Sequence, residues 1–236
     1  MLQLRLQSPL LASMSKIAIY WDAGVSPGAF QQLLTALSEP FLAHYSFETV
    51  DRRFFLSPSW EERTSLLIFP GGRDLPYHQA LQGEANGRIR SFVERGGRFL
   101  GICAGGYYGA STILFESGQE SEIRGERELA FFPGRAIGPA FGKEDFRYQS
   151  EAGARGVTIE WEGGASSAYF NGGCFFEKAE AFPPTQIVAH YRDLPGKPAA
   201  AVYCKSGSGA ALLSGIHPEY APKDPFWPYF INKILT

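Results

Sequence analysis

The sequence is poor in sulfur and imidazole, with three cysteines, two methionines and four histidines. Cys103, Cys174 and Cys204 are too few, and odd in number, for a disulfide framework. They fit a reducing compartment, and the cytoplasm is the expected location. No close Cys/His cluster offers the ligand spacing of a zinc site. Charge of one sign is also lacking. The 22 basic and 24 acidic residues leave a net charge of −2, which supplies no electrostatic footprint for nucleic acid or for an anionic membrane. No apolar run is long enough to span a bilayer. There is no internal repeat, no G-x-G-x-x-G fingerprint and no P-loop. Ser206-Gly207-Ser208-Gly209 comes nearest, but no lysine with Ser or Thr comes after it. No metal and no cofactor is expected, so any chemistry must come from side chains.

What remains is a soluble-type composition, and 236 residues can bury a proper core as one large domain. Leu2, Leu4, Leu6, Leu10 and Leu11 are interrupted by Gln3, Arg5, Gln7 and Pro9, a poor signal-peptide core. Met14-Ser15-Lys16 looks like an alternative start. Residues 1–13 are read as a disordered extension and 14–236 as a single domain.

Strand and helix patterns alternate through the first half. Lys16 to Trp21 reads as a buried strand. Ser26-Pro27 offers an N-cap and an N1 proline, and Phe30, Leu33, Leu34 and Leu37 then mark one helix face. Tyr45 to Val50 and Ser65 to Phe69 read as strands. Ser57 to Arg63 reads as a short helix or loop. Asn86 to Arg95 reads as a helix stopped by Gly96-Gly97. Arg98 to Leu100 is a fourth strand. This alternation predicts an α/β fold with a mostly parallel sheet and right-handed crossovers, its site at the carboxyl ends of the strands. From Glu116 to Gly164 the chain is rich in glycine and charge, with Val157 to Trp161 as a short strand. Ala168 to Phe170, Gln186 to Tyr191, Ala199 to Cys204 and Ala210 to Leu213 suggest hairpins extending the sheet. Phe226 to Leu235 reads as a closing helix.

Gly101-Ile102-Cys103-Ala104-Gly105-Gly106 comes after the fourth strand and leads into Tyr107 to Ile113, which can continue as a helix. Strand, small-residue turn and helix make the setting of a nucleophile elbow, here with cysteine in place of serine. A thiol at a helix N-terminus is favoured as thiolate. Far downstream, Ala210 to Ser214 runs into Gly215-Ile216-His217-Pro218-Glu219. On extended backbone His217 and Glu219 project to one side, and Pro218 stiffens that geometry. Glu219 can then accept Nδ1–H of His217 and leave Nε2 to face a thiol, the logic of a catalytic triad. Read alone, the tripeptide is first of all a surface turn after a strand. Pro70-Gly71-Gly72, past the third strand, can turn N–H groups of Gly71 and Gly72 into a pocket. With the N–H of Ala104 they would form an oxyanion hole.

Gly-x-Cys-x-Gly, Pro-Gly-Gly and His-Pro-Glu together resemble the class I glutamine amidotransferase superfamily. Tyr20-Trp21-Asp22-Ala23-Gly24-Val25-Ser26, Phe69 to Tyr77 (FPGGRDLPY), Gly101 to Tyr108 (GICAGGYY) and Tyr169-Phe170-Asn171-Gly172-Gly173 are more specifically similar to the N-terminal domain of eukaryotic-type biotin–protein ligases, which also exists as a stand-alone protein. The resemblance covers residues 16–236. It implies a flavodoxin-like domain and a Cys103–His217–Glu219 triad. Two departures stand out. The amidotransferase elbow usually continues to a glutamine where this chain has Tyr107, and no synthetase domain is present to receive ammonia. No Gly-Arg-Gly-Arg-type motif appears, so the chain is not read as a biotin ligase.

Asp22 could tune the cysteine or hold a substrate amine, or merely cap a turn. Arg73 could bind a carboxylate. Tyr107 and Asn171 could line the pocket. His44, His78 and His190 have no spacing partner. The reading ranked first is a hydrolase or amidotransferase-like enzyme that takes a small-molecule amide, ester or peptide-like substrate through a thioester on Cys103, with a partner enzyme as possible acceptor domain. The second is a silent ligand-binding module on the same fold. The third is a peptidase-like or redox-sensing thiol protein.

Overall fold

A computed structural model describes residues 16–116, 118, 122–142 and 150–236. The expected extension at 1–13 lies outside the described residues. Strand β1 (Lys16–Tyr20) is buried on both faces, as its unbroken apolar run requires. Helix α1 (Pro27–Leu37) begins at Ser26, whose hydroxyl accepts from the Ala29 N–H, with Pro27 at the first helical position. Strand β2 (Ser46–Val50), helix α2 (Trp60–Arg63) and strand β3 (Thr64–Phe69) come next. Helix α3 (Asp74–Leu81) starts directly after the Pro-Gly-Gly turn, where the sequence reading named no element. Pro76 falls in its first turn, where a missing N–H costs no hydrogen bond. Helix α4 (Glu84–Glu94) ends at the Gly96-Gly97 stop.

Strand β4 (Arg98–Ile102) leads into helix α5 (Ala104–Tyr108), which is only five residues long. The continuation toward Ile113 is corrected here: Gly109 breaks the helix, and Ala110–Phe115 forms strand β5. A Cβ on Gly109 would press into the Leu213 side chain, and the adjoining Ser-Thr-Ile favours extended backbone. The glycine-rich middle holds β6 (Ile123–Glu126), β7 (Phe132–Gly138), β8 (Arg155–Trp161) and β9 (Gly164–Phe170). Then come β10 (Phe175–Phe176), β11 (Gln186–Tyr191), β12 (Ala199–Ser206), β13 (Gly209–Ser214) and the closing helix α6 (Phe226–Leu235).

The sheet runs β2-β1-β3-β4-β13-β12-β10-β7-β5-β6, with β11, β8 and β9 branching from β12. The block β2-β1-β3-β4-β13 is parallel throughout, the flavodoxin-like core of the fold. The β12–β13 hairpin turns at Gly207 and carries the sheet into antiparallel strands. One apolar core fills each face: Trp60, Phe69, Phe99 and Tyr108 lie in one, Leu33, Leu100, Trp227 and Phe230 in the other. Burying such side chains contributes about 1.5–3 kcal/mol each. Strand β13 is last in sequence yet sits beside β4, with Ser214 opposite Ile102. That register sets the segment after Ser214 next to Cys103.

Candidate active site

Cys103 occupies the turn between β4 and α5 with φ 52° and ψ −101°. A side chain other than glycine rarely tolerates such a backbone, and the surrounding packing enforces it. Its N–H donates to the Ser214 carbonyl at 2.7 Å, which ties the elbow to β13. Its carbonyl accepts from Gly106 and Tyr107 at 2.9 and 3.1 Å. Gly101 and Gly105 flank the turn because a Cβ on Gly101 would run into the Gly105 carbonyl, and one on Gly105 into the Phe69 carbonyl. The cysteine is 5% exposed.

His217 lies just past β13, and its N–H donates to the Tyr169 carbonyl at 3.0 Å. Pro218–Tyr220 then forms one 3-10 turn, so the extended geometry expected for His217-Pro218-Glu219 is corrected to a bend. The bend still lets Nδ1 of His217 donate to Oε1 of Glu219 at 2.7 Å. The remaining ring nitrogen, Nε2, takes no part in that bond, and His217 and Cys103 line one cleft. Burial alone would depress the imidazole, but the charges of Glu219 and Cys103 outweigh it and hold His217 well above the ordinary histidine range. The Tyr169 and Tyr220 rings stack at 4.0 Å, and both stand edge-on to the imidazole at 5.5 and 5.4 Å. On its other side lies Gly71, where a Cβ would come within 2.5 Å of Cε1 of His217.

These groups open on a cleft of about 770 Å³ lined by Cys103, Ala104, Gly72, Arg73, Tyr107, Asn171 and His217, among others. The N–H groups of Gly72 and Ala104 have no acceptor among the described residues. Ala104 is the first residue of α5, where no preceding turn supplies a carbonyl. Gly71 stands beside the imidazole, and its carbonyl accepts from Ser26. Arg73 lies exposed at the cleft and has no ion pair among the described residues. Tyr107 is buried and donates to the Gly172 carbonyl at 2.9 Å. Asn171 donates through Nδ2 to the Ser150 carbonyl at 3.0 Å, while its buried Oδ1 has no partner among the described residues. The Asn171 peptide oxygen stands 3.8 Å from Sγ of Cys103.

Asp22 is not part of this cleft. Its carboxylate accepts from Nε and Nη2 of Arg52 at 2.6 and 2.7 Å, and those hydrogen bonds hold its carboxyl down at about 2. The other two cysteines are buried, with burial pushing both thiols up, Cys204 to about 12. His190 sits 2.7 Å from the Lys197 carbonyl oxygen, away from the site. Sequence patterns did not single out Tyr169 and Tyr220 as neighbours of the imidazole. Nor did they single out Asp74 on the cleft wall, whose Oδ2 is held by buried Arg127 at 2.7 and 2.6 Å. Asp74 stands inside the FPGGRDLPY motif, but Arg127 is 53 positions away, and no spacing rule links them.

A family model for the biotin-protein ligase N-terminal domain matches residues 15–226. An uncharacterized protein of Chlamydia muridarum is 40% identical over 218 residues, covering 89% of this chain and 83% of that one. A biotin–protein ligase of Schizosaccharomyces pombe is 39% identical over 200 residues, which is 81% of this chain but 31% of the ligase. Among solved structures, a ThuA-like protein from Bacteroides uniformis superposes with a TM-score of 0.55 at 10% identity, covering 97% of this chain and 93% of that one. The β-galactosidase Gan42B does so with a TM-score of 0.53 at 15% identity, over 93% of this chain and 30% of that one. At those identities the two structures share the fold alone.

Proposed function

The chain belongs to the biotin-protein ligase N-terminal family, and from that premise we propose that this domain performs acyl chemistry of its own, as a cysteine-nucleophile hydrolase of the glutamine amidotransferase type. The observation that carries the reading is the buried line of Glu219, His217 and a cysteine held at positive φ. Sγ of Cys103 attacks the carbonyl carbon of an amide or ester. The proton of the thiol resides on His217, which Glu219 orients. The N–H groups of Gly72 and Ala104 face the developing oxyanion. His217 returns its proton to the leaving nitrogen or oxygen as the bond to carbon breaks, and a thioester remains. Water then adds to the thioester carbonyl, giving its proton to His217. The acid departs and the thiol is restored. Arg73 is placed to hold a substrate carboxylate at the mouth. An amine released here would pass to a separate partner enzyme as acceptor. The three free thiols suit a cytoplasmic setting.

Alkylation by iodoacetamide at neutral pH, read peptide by peptide, tests the pair. Cys103 is expected to react ahead of Cys174 and Cys204, and His217→Ala should slow it by about tenfold or more. Equal rates in both proteins would remove the Cys–His couple from the mechanism. One observation favours a second reading, a binding module without turnover: the Asn171 carbonyl oxygen lies 3.8 Å from the sulfur, where a lone pair gives an attacking thiolate no help. A ligand bound equally by wild type and Cys103→Ser, with no product formed, would select that reading.

A further inference from the structure

The cleft around Cys103 has two unlike halves. His217, Tyr169 and Tyr220 pack together as a polar half of its wall. Tyr107, Phe115 and Ile123 adjoin one another as an apolar half. Cys103 lines the same cleft, and Tyr107 lies one turn after it, with its N–H on the Cys103 carbonyl. Among the described residues, two polar groups beside the apolar half are already committed. The hydroxyl proton of Tyr107 goes to the Gly172 carbonyl at 2.9 Å, and its ring packs edge-on against Phe115 at 5.8 Å. Phe115 faces Ile123 across the β5–β6 pair, so the two side chains form one wall. Oδ2 of Asp74 is taken by Arg127 at 2.7 Å through Nε and 2.6 Å through Nη2. Arg73 and Gln79 are exposed at the mouth. A polar acyl tail entering this half would shed water and find little to bond with, whereas an apolar tail gains from burial.

We infer that the substrate is an amide or ester whose acyl chain is apolar, with the chain laid against Tyr107, Phe115 and Ile123 and the leaving group on the His217–Tyr220 side. This rests on the acyl-enzyme reading above. In the probe reaction Sγ of Cys103 bonds to the carbonyl carbon of a p-nitrophenyl ester, the C–O bond breaks and p-nitrophenolate leaves. Water later cleaves the thioester, with His217 carrying the proton.

The test compares three p-nitrophenyl esters on the full chain: the acetate, the 5-methylhexanoate, and the 4-carbamoylbutanoate, which replaces the terminal isopropyl by a carboxamide of the same shape. Nitrophenolate release and the intact mass of the Cys103 adduct are both read. The 5-methylhexanoyl ester should acylate Cys103 roughly tenfold or more faster than the carbamoyl ester, because a terminus of equal shape is then rejected by polarity alone. Ile123→Asp should erase that ratio, and Ile123→Thr serves where the aspartate variant does not fold. A ratio near one or inverted, with Cys103 still acylated, overturns the inference and leaves the hydrolase reading standing. No acylation by any ester overturns the hydrolase reading, and calorimetry of 5-methylhexanamide with Cys103→Ser then decides the cleft. Binding that Ile123→Asp abolishes supports the apolar half as a ligand site, and no binding overturns it.

Discussion

Asp22 and Tyr107 show how single residues acquire roles from neighbours far along the chain. At the end of β1 Asp22 reads as a site acid, but the forked donors of Arg52, 30 positions on, take both its oxygens. Its carboxyl ionises at about 2 in the fold against an ordinary 3.8. A depressed carboxyl contributes stability that is full above its unfolded value and is lost as pH falls through its folded one. Asp22→Asn should therefore be less stable than wild type at neutral pH, with the gap closing between pH 3.8 and about 2. Urea midpoints across that range check this, and a gap independent of pH would show that the ion pair is not its source. Tyr107 stands where the elbow it resembles carries a glutamine, and it spends its hydroxyl within the protein. The sequence showed the substitution. Only the fold showed that the ring packs against Phe115 on the cleft wall.

Among the elements, the elbow is the one most tightly specified. Its glycines are there for close approach: α5 lies so near the end of β3 that the Phe69 carbonyl occupies the space of any Cβ at Gly105. Gly105→Val should cost about 1–3 kcal/mol and push α5 off the sheet. Thermal melts give the cost, and Cys103 alkylation in the folded fraction should fall to that of a solvent-blocked thiol. A variant with unchanged melting and alkylation would mean the contact is soft. Strand β4 and the elbow were legible because apolar run, glycine and cysteine come in one contiguous stretch. Helix α5 is overextended when read from sequence, since propensity alone does not register that Gly109 lies against Leu213. Helix α3 is hidden because Pro76 reads as a breaker unless its first-turn position is known.

At the scale of the molecule the candidate site exists only when the last strand docks. Cys103 and His217 are separated by most of the antiparallel extension, and β13 brings them together by entering between β4 and β12. Such long-range pairing forms as part of the cooperative fold. In a urea titration, the reactivity of Cys103 over that of a free thiol should vanish at the same midpoint as the near-UV signal of the buried aromatic cores. Loss at a lower urea concentration would mean that the Pro218–Tyr220 bend detaches on its own.

The sequence by itself determined the parallel α/β core, the glycine-flanked cysteine turn and the three residues that could make a triad. Each of these is a local pattern: an apolar run, a glycine-flanked cysteine, a histidine two positions from a glutamate. The family likeness, too, was carried by contiguous motifs. Tertiary structure decided the rest: which neighbour Asp22 faces, that Asp74 meets Arg127, that Tyr169 and Tyr220 flank the imidazole, and that Tyr107, Phe115 and Ile123 adjoin on the cleft wall. Those are relations between segments tens of residues apart. Strand order and register set them, and no period or spacing within the chain encodes either.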